Sequence, residues 1–145
     1  MPLSASVLAA GLNKIQMPTS PTTALQGWVD AWSTYISMCL QIATSVASVT
    51  AFRGVLATAF VPGNSPDAFC LQLQAAMTAG LSAAVLIPVY GVTLIPNPAP
   101  LGYTPANASS TTAPRMQLAD KVHLWTSLWM ATGIPPNFTG AGPIS

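Results

Sequence analysis

The chain has 145 residues, the length of one domain, and charged residues make up only 5% of it, where about 25% is usual for a globular protein. Its net charge of +1 excludes the basic surface that holds nucleic acid and the polybasic patch that binds membranes. Because a surface near zero net charge favours association, we expect most of this surface to be covered, either by a lipid bilayer or by neighbouring subunits.

Repeated start signals predict the helices. A short helix is expected over about residues 4–15, where apolar residues recur at helical spacing. Three further helices are expected to begin at Pro21, Pro66 and Pro114, because proline is favoured at the first helical position, where an N–H would have no partner. A serine precedes each of the first two prolines and can cap the amides of the first turn.

Apolar residues on one face support each of these helices. The helix from Pro21 is expected to run to about residue 47, and residues 54–60 to add another helical turn or two. The helix from Pro114 is expected to end near Gly133. The three faces comprise Leu25, Trp28, Val29, Trp32, Ile36, Cys39, Leu40 and Ala43 in the first, Phe69, Leu73, Met77, Leu81 and Ala84 in the second, and Leu118, Val122, Trp125 and Trp129 in the third.

Between and after these helices the pattern changes. Residues 85–96 are rich in β-branched side chains and are expected to be extended, with Pro88 at an edge or bulge because it lacks a donor. Residues 97–114 form a long loop of Pro, Ser, Thr and Ala, and loops of this length are usually functional or mobile. Residues 134–145 have no helical period and are expected to form an extended arm.

The predicted fold is therefore mainly α, a small bundle of three to four helices in one domain over residues 1–133, followed by the arm. Phe138 and Ile144 are apolar residues in that arm, and they gain nothing unless a neighbouring subunit receives them. The candidate interface residues are Phe138, Ile144, Trp125, Trp129 and Tyr103.

Residues that carry catalysis are scarce. His123 is the only histidine and lies three residues after Asp120, so the two can touch on one helix face. A hydrolytic triad also needs a nucleophile in a special turn, and the sequence has no G-x-S-x-G elbow. A hydrogen bond on the helix surface is favoured over an acid–base pair, so we predict no catalytic residues and no enzyme.

The two cysteines, Cys39 and Cys70, fall on different predicted helices. With one histidine and no CxxC, the chain has too few soft ligands for zinc. Buried thiols acting as small hydrophobes are expected, and a disulfide is the alternative if the two helices pack together. No metal or other cofactor is predicted.

Asp67 is one of three acidic residues, so its role needs an explanation. It follows Ser65 and Pro66, in the first turn of a predicted helix. There its charge meets the positive end of the helix dipole, which contributes about 0.3–1 kcal/mol when exposed. Asp67 is therefore interpreted as reinforcing a helix start.

Two pairs of tryptophans lie four residues apart, Trp28 with Trp32 and Trp125 with Trp129. Residues at this spacing share a helix face, and aromatic rings there usually pack in a core. We expect both pairs in the core or at a subunit interface. A platform that stacks a sugar or a base is the alternative.

Two uncharged stretches, residues 31–52 and 75–96, are long enough to span a bilayer. Hydroxyl and amide side chains dilute the first and fall largely on one helix face, as in an amphipathic helix. The second contains Gly80, Pro88 and Gly91 and changes character halfway. An integral membrane protein with two spans is the alternative function.

The opening "MPLSASVLAAGL", the linker "ANASSTTAP" and the ending "TGAGPIS" resemble small structural proteins of tailed bacteriophage virions. The resemblance implies one compact body, few charges and an arm that docks on a neighbour. It also implies a non-enzymatic role in the virion, as capsid cement, head–tail connector, or tail or baseplate part. The implied partners are copies of the chain and other virion proteins, without small-molecule substrate or direct nucleic-acid contact.

The scarcity of charge favours the same class independently of the resemblance. Obligate interfaces are large and apolar, and most assemblies repeat one subunit symmetrically. The sequence therefore predicts a structural subunit of a large assembly.

Overall fold

The computed structural model describes residues 3–13, 21–39, 42–43, 45–60, 65–86, 93–97, 99–101, 114–132 and 141–143. This part of the protein is mainly α. It contains five α-helices, α1 (Ala5–Asn13), α2 (Pro21–Ile36), α3 (Val46–Leu56), α4 (Pro66–Ser82) and α5 (Pro114–Ser127). A 3-10 turn at Ala57–Ala59 follows α3 directly.

Short strands join the ends of these helices. Strand β1 (Ile42–Ala43) pairs antiparallel with β2 (Val85–Leu86). Strand β4 (Met130–Thr132), just after α5, pairs antiparallel with β3 (Thr93–Ile95) on one side and β5 (Ala141–Pro143) on the other. Of the predicted extended segment 85–96, the structure describes residues 85–86 and 93–96, which include β2 and β3. Of the predicted arm, it describes β5.

The structure confirms the three helix starts at proline and the short leading helix. Ser65 caps α4 as predicted, because its Oγ accepts from the Ala68 N–H at 3.1 Å. The prediction of one helix from Pro21 to about residue 47 was wrong. Helix α2 ends at Ile36, and a new helix begins where the Ser45 Oγ accepts from the Ser48 N–H.

Turns follow the end of α2. The Ser37 hydroxyl donates to the Thr34 carbonyl at 2.7 Å, and the amides of Met38 and Cys39 donate to the carbonyls three residues earlier. The predicted end of the last helix also shifts, because α5 stops at Ser127 and residues 130–132 are extended. The described bundle therefore has five helices instead of three to four.

The two stretches considered as membrane spans are interrupted. Residues 31–52 divide into the end of α2, strand β1 and part of α3, and residues 75–96 into the end of α4 and strands β2 and β3. Over the described ranges, the structure has no helix of the length and apolarity that crossing a bilayer requires.

Helix α2 lies at the centre of the core. Its Trp32 is buried and stacks on Phe52 of α3, with ring centroids 4.3 Å apart and planes within 2°. Helix α3 is tied to α4 by the buried Ser48 hydroxyl, which donates to the Gly80 carbonyl at 2.7 Å. Helix α1 packs against both α2 and α5.

The start of the long loop is held by polar contacts. Trp125 Nε1 of α5 donates to the Ala99 carbonyl at 2.9 Å, and the Leu101 N–H donates to Gln74 Oε1 of α4 at 2.7 Å. Asn97 donates through Nδ2 to the Trp125 carbonyl at 3.1 Å. Leu101 is also buried, so residues 99–101 are held against α4 and α5. Residues 102–113 lie outside the described part.

A glycine permits the contact between α1 and α2. A β-carbon on Gly11 would lie 2.8 Å from Ala31 Cβ and 3.0 Å from Ala31 Cα. Neither atom can move away without moving the α2 backbone. The crossing of α1 over α2 therefore depends on the absence of a side chain at Gly11.

We expect Gly11→Ala to lower the free energy of unfolding by about 1–3 kcal/mol through overpacking. Gly54→Ala is the matched control, since a β-carbon there meets nothing within 4 Å. It should raise stability by about 0.5–1 kcal/mol, because alanine is the better helix former. Chemical denaturation of both variants measures this, and an equal effect at both positions would contradict the close contact.

Candidate functional site

The side chains best suited to chemistry meet where α2 faces α5. Tyr35 of α2 is fully buried, and its hydroxyl lies 2.9 Å from His123 Nδ1 of α5. The two rings meet edge to face, with centroids 6.0 Å apart and planes at 80°. Which of the two groups donates depends on the tautomer of His123, because a phenol can both donate and accept.

Burial raises the pKa of the Tyr35 phenol well above its usual range, because the ionised form would lose its hydration. The neighbouring Thr126 hydroxyl opposes this rise in pKa, and Cys39 adds to it. The opposing effect is small, since Thr126 Oγ1 has no hydrogen bond of ordinary geometry among the described residues. Tyr35 therefore stays protonated and remains a donor at every physiological pH.

The predicted partner of His123 was Asp120, and the structure places the imidazole elsewhere. His123 Nδ1 bonds to Tyr35, 88 residues earlier in the chain, while Asp120 is exposed. Tyr35 was not among the predicted site residues. Its spacing was informative, because it lies three residues after Trp32 and seven after Trp28, on the face that the tryptophans define.

This cluster joins two helices and is closed to a substrate. Tyr35 and Thr126 are both fully buried, so neither hydroxyl can reach a molecule in solvent. His123 is half-buried and directs Nδ1 inward to Tyr35. The contact acts as a hydrogen-bonded tie between α2 and α5, and a typical tie of this kind contributes about 0.5–1.5 kcal/mol.

The cysteines and acids give no second cluster. Cys39 and Cys70 are both buried, and no disulfide links them, as the interpretation as buried thiols predicted. Among the described residues, no group of three His, Cys, Asp or Glu side chains is arranged to hold a metal ion. The side chain of Asp67 lies outside the described part. The helix start that it was predicted to reinforce is present, with Ser65 as its cap.

The tryptophans belong to the core. Trp125 and Trp129 are buried, and their rings meet at 70° with centroids 5.7 Å apart. Trp28 is partly buried and packs against Phe69 at 5.5 Å. Two of the candidate interface residues, Trp125 and Trp129, are thus covered by this chain itself. The other three, Tyr103, Phe138 and Ile144, lie outside the described residues.

The outer surface is the more unusual feature. Among the exposed residues of the described part, the charged ones are Asp30, Asp120 and Lys121. Arg53 is half-buried and donates to Gln26 Oε1 at 2.6 Å, and Gln26 donates in turn to Asp30 at 2.7 Å. Most exposed positions of the described part therefore carry no charge.

Large apolar side chains are also exposed. Val46 at the start of α3 is 84% exposed and Leu71 on α4 is 69% exposed. Leu124 on α5 is 57% exposed, and Leu128, just after the end of that helix, is 53% exposed. Single exposed leucines are ordinary on protein surfaces, but here little charge surrounds them.

Comparison of the chain with models of known protein families, with curated proteins and with solved structures gives no match.

We expect Tyr35→Phe to lose the hydrogen bond to His123 and to change the alkaline stability. The folded-state pKa of Tyr35 is raised, so its contribution is present below the unfolded pKa of about 10 and is lost as pH rises through the folded value. The wild type should lose stability more steeply than Tyr35→Phe between about pH 9 and 12. Denaturant titrations across this range measure it, and equal slopes would contradict burial of the phenol.

Proposed function

We propose that this chain is a non-enzymatic structural subunit of a large protein assembly, of the class found in tailed-phage virions. The observation that carries the proposal is the scarcity of charge on the described outer surface, where Asp30, Asp120 and Lys121 are the charged residues among those described as exposed. A freely soluble small domain usually has about 25–35% charged residues on its surface.

The physical reason is the cost of leaving such a surface in water. When a neighbour covers exposed alanine, valine and leucine side chains, the free energy of association becomes more favourable by roughly 25 cal/mol for each Å² of apolar area buried. Surface charges normally oppose that association by repulsion and by their hydration. With a net charge of +1, this chain has little of either, so association is favoured.

The finer architecture of the proposal is one body over residues 1–133 and an arm over residues 134–145. The described part of the arm, β5, pairs with β4 of the same chain, and the proposed docking on a neighbour is through the apolar residues on either side of β5. Phe138 and Ile144 are its anchors, and Tyr103 in the long loop is a further contact. The proposed partners are copies of the chain and other virion proteins. The proposed roles are capsid cement, head–tail connector, and tail or baseplate part.

The direct test is the composition of purified particles by mass spectrometry. When the gene for this chain is expressed together with the genes that flank it, the purified particles should contain the chain in stoichiometric amount. Expressed alone, it should sediment at high mass or leave solution. A monomer that stays soluble at high concentration and is absent from particles would refute the proposal.

Added charge should restore solubility if the uncharged surface drives association. We expect the double variant Val46→Glu and Leu71→Glu, at two exposed sites, to increase the soluble fraction of the chain expressed alone. The matched control is Val46→Gln and Leu71→Gln, which is polar but uncharged. Equal solubility of both variants would show that apolarity alone, without the missing charge, causes association.

A further inference from the structure

A buried hydroxyl beside the Tyr35–His123 contact has no partner of its own. Thr126 of α5 is fully buried, and its Oγ1 makes no hydrogen bond among the described residues. It lies one turn after His123 on the same helix. Its hydroxyl is near enough to Tyr35 that, against the larger rise from burial, it lowers the pKa of the phenol. A buried hydroxyl without a partner is costly, so the position of Thr126 needs an explanation.

Two hydroxyls in series can carry a chain of hydrogen bonds in either direction, because a phenol and an alcohol each have one proton to donate and lone pairs that accept. When His123 is neutral with its proton on Nε2, Thr126 donates to Tyr35, and Tyr35 donates to Nδ1. When the imidazole is protonated, both of its nitrogens are donors. Nδ1 then donates to Tyr35, and Tyr35 donates to Thr126. The Thr126 proton turns to a carbonyl of the preceding helical turn, as helical threonines allow.

We propose that Thr126, Tyr35 and His123 form a reversible chain of hydrogen bonds that keeps Tyr35 bonded to His123 in both charge states of the imidazole. Without the Thr126 hydroxyl, only the neutral imidazole leaves every member paired. The proton of the buried Tyr35 hydroxyl has no acceptor other than His123 among the described residues. Thr126 is therefore a positioning residue that makes this tie tolerant of acid. The inference concerns the inside of one chain, so it does not depend on the proposed function.

The ionisable groups around the imidazole are the same with and without a hydroxyl at position 126. Asp120, one turn earlier on α5, and the adjacent Lys121 are both exposed. From α2 the facing group is Tyr35 itself, and the Cys39 thiol, just past the end of α2, acts on that phenol. Helix α1, which also packs on α5, has no ionisable side chain. A comparison of variants at position 126 therefore isolates the effect of the hydroxyl.

The pH profile of stability tests the chain of hydrogen bonds. Thr126→Val removes the hydroxyl at nearly constant volume, and Thr126→Ser is the matched control that keeps it. Between about pH 8 and pH 5, where imidazoles change charge, the folded-to-unfolded ratio of Thr126→Val should fall about 5–30-fold more than that of Thr126→Ser. The folded state of Thr126→Val disfavours the imidazolium, so its stability is present at high pH and is lost as the pH falls. Denaturant titrations followed by tryptophan fluorescence at low protein concentration measure this.

Further variants decide whether the effect passes through Tyr35. Thr126→Ala also lacks the hydroxyl and should show the same pH profile as Thr126→Val. In the Tyr35→Phe background, Thr126→Val and Thr126→Ser should have parallel profiles, because a phenyl ring has no proton to place. Parallel profiles of these two variants in the otherwise unchanged chain, or a difference that persists without the phenol, would overturn the proposal.

Discussion

The buried indole of Trp32 organises the helical body. It stacks on Phe52 of α3 at 4.3 Å, and a β-carbon on Gly80 of α4 would lie 2.5 Å from its ring. One side chain of α2 thus sets how closely α3 and α4 approach. Shape outweighs hydrogen bonding here, because Trp32 Nε1 has no acceptor among the described residues, at a cost of about 1–3 kcal/mol.

The same helix connects the remaining parts. Ala31 of α2 lies against Gly11 of α1, and Tyr35 bonds to His123 of α5. On α5, Ala119, Val122 and Trp125 are buried, whereas Leu124 is exposed. The few charged side chains among the described exposed residues leave little electrostatic repulsion between neighbouring subunits.

Local signals made much of the helical fold predictable. The prolines at positions 21, 66 and 114 start helices because their missing N–H has no cost there. The division between α2 and α3 was missed, although Ser45 is a cap of the same kind as Ser65. The apolar period runs through the break, and periodicity alone does not show a turn inside it. The anchoring of residues 97–101 by Gln74 and Trp125 was also missed, since it joins residues more than 20 positions apart.

By itself, the sequence determined the class of fold, the helix starts and the scarcity of charge, because these depend on residue type and local spacing. The tertiary structure decided which partner His123 takes and which leucines remain outside. The imidazole lies one turn from Asp120 but bonds to Tyr35, since the tertiary fold brings that buried hydroxyl within 2.9 Å. Leu124 and Val122 are two residues apart on one helix, and only the position of the core makes one exposed and the other buried.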